Sequence, residues 1–84
     1  MYYRHRGNKV IRSRMKFLRL EKEEREGRKL PLRTISAETG LSVGAVQRAL
    51  NNQVEDVKVQ TIDRLCLYFD CKSIAELLDF TPEN

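Results

Sequence analysis

Apolar side chains recur along this chain at helical spacing, and the breaks between them fall at glycine, proline and capping residues. Ile11, Met15 and Leu18 sit at i, i+4 and i+7, a narrow stripe that predicts a first helix from about Lys9 to Arg25, with Asn8 as its N-cap. The pairs Glu21–Arg25 and Lys22–Glu26 support its exposed last turns, and Gly27 ends it. Phe17 and Leu20 lie off the stripe, in position to cover the apolar run Leu30-Pro31-Leu32. A second helix opens at Pro31 or Leu32, where a proline loses nothing by lacking an amide hydrogen, and closes at Thr39 before Gly40. Ser42 is a good N-cap for a third helix, Val43 to Leu50 or Asn51. Asn51-Asn52 then supplies a residue that tolerates positive φ.

Beyond it, residues 53–60 read as a loop. A fourth helix from about Gln60 to Phe69 has the clearest apolar face, with Ile62, Leu65, Cys66 and Phe69 at i, i+3, i+4 and i+7. Asp70 stands where that helix stops. Ser73-Ile74-Ala75-Glu76 matches a capping box and predicts a fifth helix carrying Leu77 and Leu78, with Pro82 closing regular structure. The pattern as a whole predicts five helices and no strands. Residues 1–8 form a basic N-terminal arm, residues 9–80 the domain and residues 81–84 a tail.

The segment LRTISAETGLSVGAVQRALN, residues 32–51, holds the functional signal. It reads as two short helices joined by a tight turn at Gly40. Ile35, Val46 and Ala49 point into a shared core, Ser36 lets the helices approach, and Leu41 plugs the angle between them. This is the helix-turn-helix pattern, whose second helix projects from the domain and fits a DNA major groove.

Charge sharpens the picture. Of the 84 residues, 40% are hydrophobic and the formal net charge is +4, enough apolar surface for one small domain. Residues 1–36 carry twelve basic and four acidic side chains; residues 37–84 carry four and eight. No acidic residue occurs from Leu41 to Val54, so nothing there repels phosphate. Such a basic concentration is either solvated or meant for a polyanion, which returns free energy by releasing counterions. No apolar run reaches membrane-spanning or signal-peptide length, and the expected compartment is the cytoplasm. Cys66 and Cys71, spaced C-x4-C with only a distant histidine, are neither a disulfide framework nor a zinc pattern and read as reduced thiols. No phosphate loop or nucleophile elbow is present, which argues against an enzyme. No cofactor, metal or small-molecule ligand is implied.

Three stretches resemble the XRE-type helix-turn-helix domains, the group that includes the phage lambda repressor and Cro. VIRSRMKFL is similar to that family's first helix, ISAETGLSVGAVQRALNN to its second and third, and TIDRLCLYFDCKSIAELLDF to a branch with a Leu-Cys pair in the fourth helix. The resemblance spans about residues 10–80. It implies a compact five-helix, all-α domain that binds double-stranded operator DNA, usually as a homodimer, in bacterial or phage transcription control, commonly as a repressor. Three features depart from the family. Pro31-Leu32 replaces a polar pair whose glutamine helps hold a phosphate. EKEEREGRK lengthens the link between helices 1 and 2, and Asn52 stands where a glycine is common.

The face expected to meet DNA comprises Ser42, Val43, Gly44, Ala45, Gln47, Arg48 and Asn51. Arg48 fits a bidentate contact to guanine, Gln47 reads adenine or bonds a phosphate, and Val43 and Ala45 suit a thymine methyl. Gly44 allows close backbone approach. Arg12, on the expected first helix, together with Lys16 and Arg33, are the candidates for backbone phosphates. Met1–Asn8 is either an arm for a neighbouring groove or a disordered tail. Leu78 and Phe80 are the candidate self-contact. The competing function is a non-enzymatic protein-interaction adaptor on the same fold, toward which the apolar start of helix 3 leans; the basic first half leans against it.

Overall fold

The computed structural model describes residues 11–51, 53–54 and 57–80. Its elements are a short strand β1 (Ile11–Ser13), helices α1 (Met15–Glu26), α2 (Leu32–Thr39), α3 (Val43–Leu50) and α4 (Val59–Tyr68), a 3-10 turn at Ile74–Glu76, and a second strand β2 (Leu78–Phe80). The described residues are mostly helical, with four α-helices among them, not five.

Both ends of the described chain differ from the periodic reading, and for one reason. β1 and β2 pair antiparallel, with Ile11 opposite Phe80, Arg12 opposite Asp79 and Ser13 opposite Leu78. This long-range ladder takes the residues expected to open helix 1 and to extend helix 5. Helix α1 therefore starts at Met15, not Lys9, and Arg12 lies on a strand. The Ser13 hydroxyl accepts from the Met15 amide at 3.1 Å, and the Arg14 amide donates to the Leu77 carbonyl at 2.7 Å. The expected cap Asn8 lies outside the described residues, as do the basic arm, Asn52 and Pro82. At the other end the Ser73 side chain caps nothing. The Glu76 carboxylate accepts from the Lys72 amide at 3.1 Å, one residue before the N-cap Ser73, so the predicted capping box does not form. One turn forms, then Leu78-Asp79-Phe80 alternates as a strand.

The core gathers Met15, Leu18, Leu30, Ile35, Val46, Ala49, Leu65, Phe69 and Leu77. Met15, Leu18, Leu65 and Phe69 of the two predicted stripes are in it, with the predicted Ile35, Val46 and Ala49, but two details shift. Ile11 is exposed on the sheet, and α4 turns Thr61, Leu65 and Phe69 inward while Ile62 and Cys66 stay half-buried at its edge. Leu30 is fully buried, while Phe17 and Leu20 are both largely exposed, and the Arg14 guanidinium stacks 5.0 Å from the Phe17 ring centre.

The long link between α1 and α2 has a structural task. Arg28 donates both terminal nitrogens to the Glu38 carboxylate, at 2.8 and 2.9 Å, and its Nε to Glu26 at 2.9 Å. The Tyr68 hydroxyl donates to the same Glu38 at 2.6 Å. Lys22 bridges to Glu26 at 2.8 Å, with its ammonium 4.6 Å from the Tyr68 ring centre. The bidentate arginine thus ties the link to α2, and the Tyr68 hydroxyl ties α2 to α4. The second expected helical pair does not form: Arg25 lies 3.6 Å from Asp70 instead of meeting Glu21.

Candidate nucleic-acid interface

Helices α2 and α3 pack through Ile35 and Val46, both fully buried, and the turn between them is held by its own side chains. Gly40 adopts φ +80°, where a side chain would be strained, and its amide donates to the Ser36 carbonyl at 2.9 Å. The Ser36 hydroxyl donates to the Leu41 carbonyl. Thr39 Oγ1 donates to the Ile35 carbonyl at 2.7 Å and accepts from the Leu41 amide at 3.2 Å. The Ser42 hydroxyl then caps α3 by accepting from the Ala45 amide at 3.1 Å. Each polar residue of the turn closes a backbone group that the break in the helix would leave open.

The outcome is a short helix with one buried edge, Val46 and Ala49, and one free face. Ser42, Val43, Gly44, Gln47, Arg48 and Asn51 are exposed, and Ala45 is half-buried. Arg48 folds back along the helix, its Nη1 3.6 Å from where a methyl group on Gly44 would lie, an ordinary contact distance. Asn51 follows the helix with φ −88°, an ordinary right-handed value.

Three basic residues share one open cleft beside this helix. Arg48 of α3, Lys58 at the N-cap of α4 and Arg64 in its middle line a cavity of about 360 Å³, with no acidic residue among the described residues of its lining. Lys58 and Arg64 escaped the sequence reading. The available signal was that Lys58 and Arg64 are the next two basic residues after Arg48, but only the packing of α4 against α2 brings them to the turn. Of the other candidates, Lys16 lies exposed on α1 and Arg33 exposed on α2, while Arg12 stands on β1 opposite Asp79.

Two helices set at a tight glycine turn, the second capped and projecting, define a helix-turn-helix protein. The chain belongs to the Cro/C1-type HTH DNA-binding domain family, whose model matches residues 22–83. No curated protein and no solved structure matches it. Family membership makes it a DNA-binding regulator of the XRE type. The family match begins midway along α1, so β1 and the first turns of α1 lie outside it. Among the described residues no helix is long and apolar enough to cross a membrane.

Proposed function

We propose that this chain is a sequence-specific, double-stranded-DNA-binding repressor of bacterial or phage transcription, acting in the cytoplasm as a homodimer on its operator. The observation that carries the reading is the free face of α3: six of its seven candidate residues are exposed on a helix whose other edge is locked in the core. Arg48 addresses guanine, Gln47 adenine or a phosphate, and Val43 and Ala45 thymine methyls. Ser42, Gly44 and Asn51 bring the backbone and short polar groups close to the groove. Arg12, Lys16 and Arg33 serve as backbone contacts, joined by Lys58 and Arg64 across the cleft from Arg48.

One helix of this length touches few base pairs, too few for a useful specificity ratio, which is why two copies are invoked. Selection of bound sequences from a random duplex library tests the reading. An inverted repeat with guanines at fixed positions is the expected output. An unstructured output at low salt reduces the function to non-specific DNA binding. No retained duplex at all favours the adaptor reading, to which the exposure of Val43 would then belong.

A further inference from the structure

We propose that Cys66 and Cys71 form a dithiol site that closes to an intramolecular disulfide by exchange with a small-molecule disulfide, and that this closure clamps the end of α4. The backbone brings the two side chains together. After α4 and its C-cap Phe69 comes Asp70 with φ +57°, the one non-glycine residue among the described residues in the left-handed region. The Asp70 amide donates to the Leu67 carbonyl at 3.2 Å, and the Cys71 amide donates to the Cys66 carbonyl at 2.8 Å. These two bonds are the Schellman pair, a motif that sets the side chain beyond the turn against one in the last turn of the helix. An apolar contact commonly fills that place. Here both positions are cysteine. The two thiols are hydrogen-bonding neighbours, each half-buried and neither in a disulfide.

The surroundings select the chemistry. Both cysteines line a shallow open groove of about 350 Å³ beside Leu67, Lys72 and Ile74, so a small reagent reaches them. Among the described residues no third histidine, cysteine, aspartate or glutamate joins them in a metal-holding group, whereas a structural zinc site takes four ligands. Two thiols in contact with no third ligand are left to bond to each other. In the exchange, the thiolate of one cysteine attacks a sulfur of the reagent disulfide and expels a thiolate. The thiolate of the other cysteine attacks the protein sulfur of that mixed disulfide and expels the second. Two protein thiols are oxidised to one disulfide, the reagent is reduced to two thiols, and the protons lost by the cysteines end on the expelled sulfurs. Burial pushes both thiols up from their ordinary value. This slows the first attack at neutral pH, and it also makes the finished bond hard to reopen, because a basic thiolate leaves poorly. The closed loop holds Phe69, a core residue, and the left-handed Asp70, so closure restrains the seat of α4 in the core.

Equilibration of the reduced chain with mixtures of oxidised and reduced glutathione at pH 8, read by intact mass, tests the site. The folded wild-type chain is expected to become lighter by two hydrogen atoms and to carry no adduct. Cys66→Ser and Cys71→Ser cannot close and are expected to stop at the mixed disulfide, with one glutathione each. The closure constant is expected to be about tenfold or more larger in the folded chain than in urea, because the turn keeps the thiols together. By the same cycle the oxidised domain melts above the reduced one, by several degrees. Asp70→Asn tolerates the left-handed backbone and is expected to keep the folded-state preference, while Asp70→Val does not and is expected to lose most of it. Both lose the contact with Arg25 alike, so that contact does not separate them. A wild-type chain that stays reduced, or that ends with glutathione on either cysteine, overturns the proposal. So does closure no more favourable in the folded chain than in urea, and so does an oxidised domain that melts below the reduced one.

Discussion

Arg64 and Gly40 form the lock of the helix-turn-helix. The Arg64 Nη1 donates to the Thr39 carbonyl at 3.2 Å, and in doing so occupies the space beside Gly40, only 2.8 Å from where a methyl group would project. A residue in the middle of α4 thereby fixes the turn that aims the recognition helix. A methyl group there would push aside the flexible end of Arg64, while the positive φ is what favours glycine at position 40.

Gly40→Ala is expected to destabilise the domain by about 1–2 kcal/mol from the left-handed backbone alone, and to displace the Arg64 guanidinium. Arg64→Ala is expected to cost about 0.5–1.5 kcal/mol for the lost hydrogen bond. Because both act on one contact, the double variant should be less destabilised than the sum of the two. Urea unfolding of the four proteins measures the coupling, and strict additivity would show that Arg64 and position 40 do not sense each other.

Arg48 and Lys58 face one cleft from different helices, so they separate base reading from charge. Arg48→Ala is expected to weaken operator binding by ~1–3 kcal/mol and relax preference at one guanine per half-site, with little change on random duplex. Lys58→Ala is expected to weaken both duplexes alike and to lower the slope of log affinity against log salt by about one. Paired titrations on operator and scrambled duplex at several salt concentrations distinguish them. An unchanged operator-to-scrambled ratio for Arg48→Ala would falsify base reading through that residue.

Acid should weaken the tie between the α1–α2 link and α2. The two Arg28 hydrogen bonds, aided by the Tyr68 hydroxyl, hold the Glu38 carboxyl down from an ordinary 4.5 to about 2. A lowered carboxylate pKa means the folded state binds the proton less readily than the unfolded one. The stabilisation is therefore complete above about pH 4.5 and is lost as pH falls toward about 2. Glu38→Gln should unfold more readily than wild type at pH 6, with the gap closing toward pH 2. Thermal melts across that range test it; a gap that persists at the acid end contradicts the assignment.

The two cysteines should be slow to alkylate while the domain is folded. Burial pushes the Cys71 thiol up to about 11 and raises Cys66 as well, so little thiolate exists at neutral pH. Native protein at pH 8 is expected to react several-fold more slowly than urea-unfolded protein with a small alkylating reagent. Equal rates in the two states would show that neither thiol is shielded.

Residues 32–51 were legible because every instruction they carry is local. Gly40 needs no distant partner to turn the chain, Ser42 caps the helix three residues ahead, and Ile35 and Val46 follow the period of their own helices. The exposed face of α3, from Ser42 to Asn51, follows from the same short-range rules. The DNA contacts assigned to it rest on that exposure and on family likeness.

What local pattern left undecided was whatever depends on residues far apart in sequence. Ile11 at i−4 from Met15 satisfies a helical period, yet Ile11-Arg12-Ser13 pairs with residues near position 79. Alternation in Leu78-Asp79-Phe80 is too short to announce a strand until a partner is known. The link Glu21–Lys29 looked like an insertion, and only the Arg28–Glu38 contact shows it bracing α2. Lys58 and Arg64 belong to another helix and reach the cleft because Leu65 and Phe69 fix how α4 rolls against the core. Backbone conformation in residues 32–51 was set by neighbours within a helical turn. The sheet and the cationic cleft were set by which side chains burial brought together, a property of the packed core and not of any one segment.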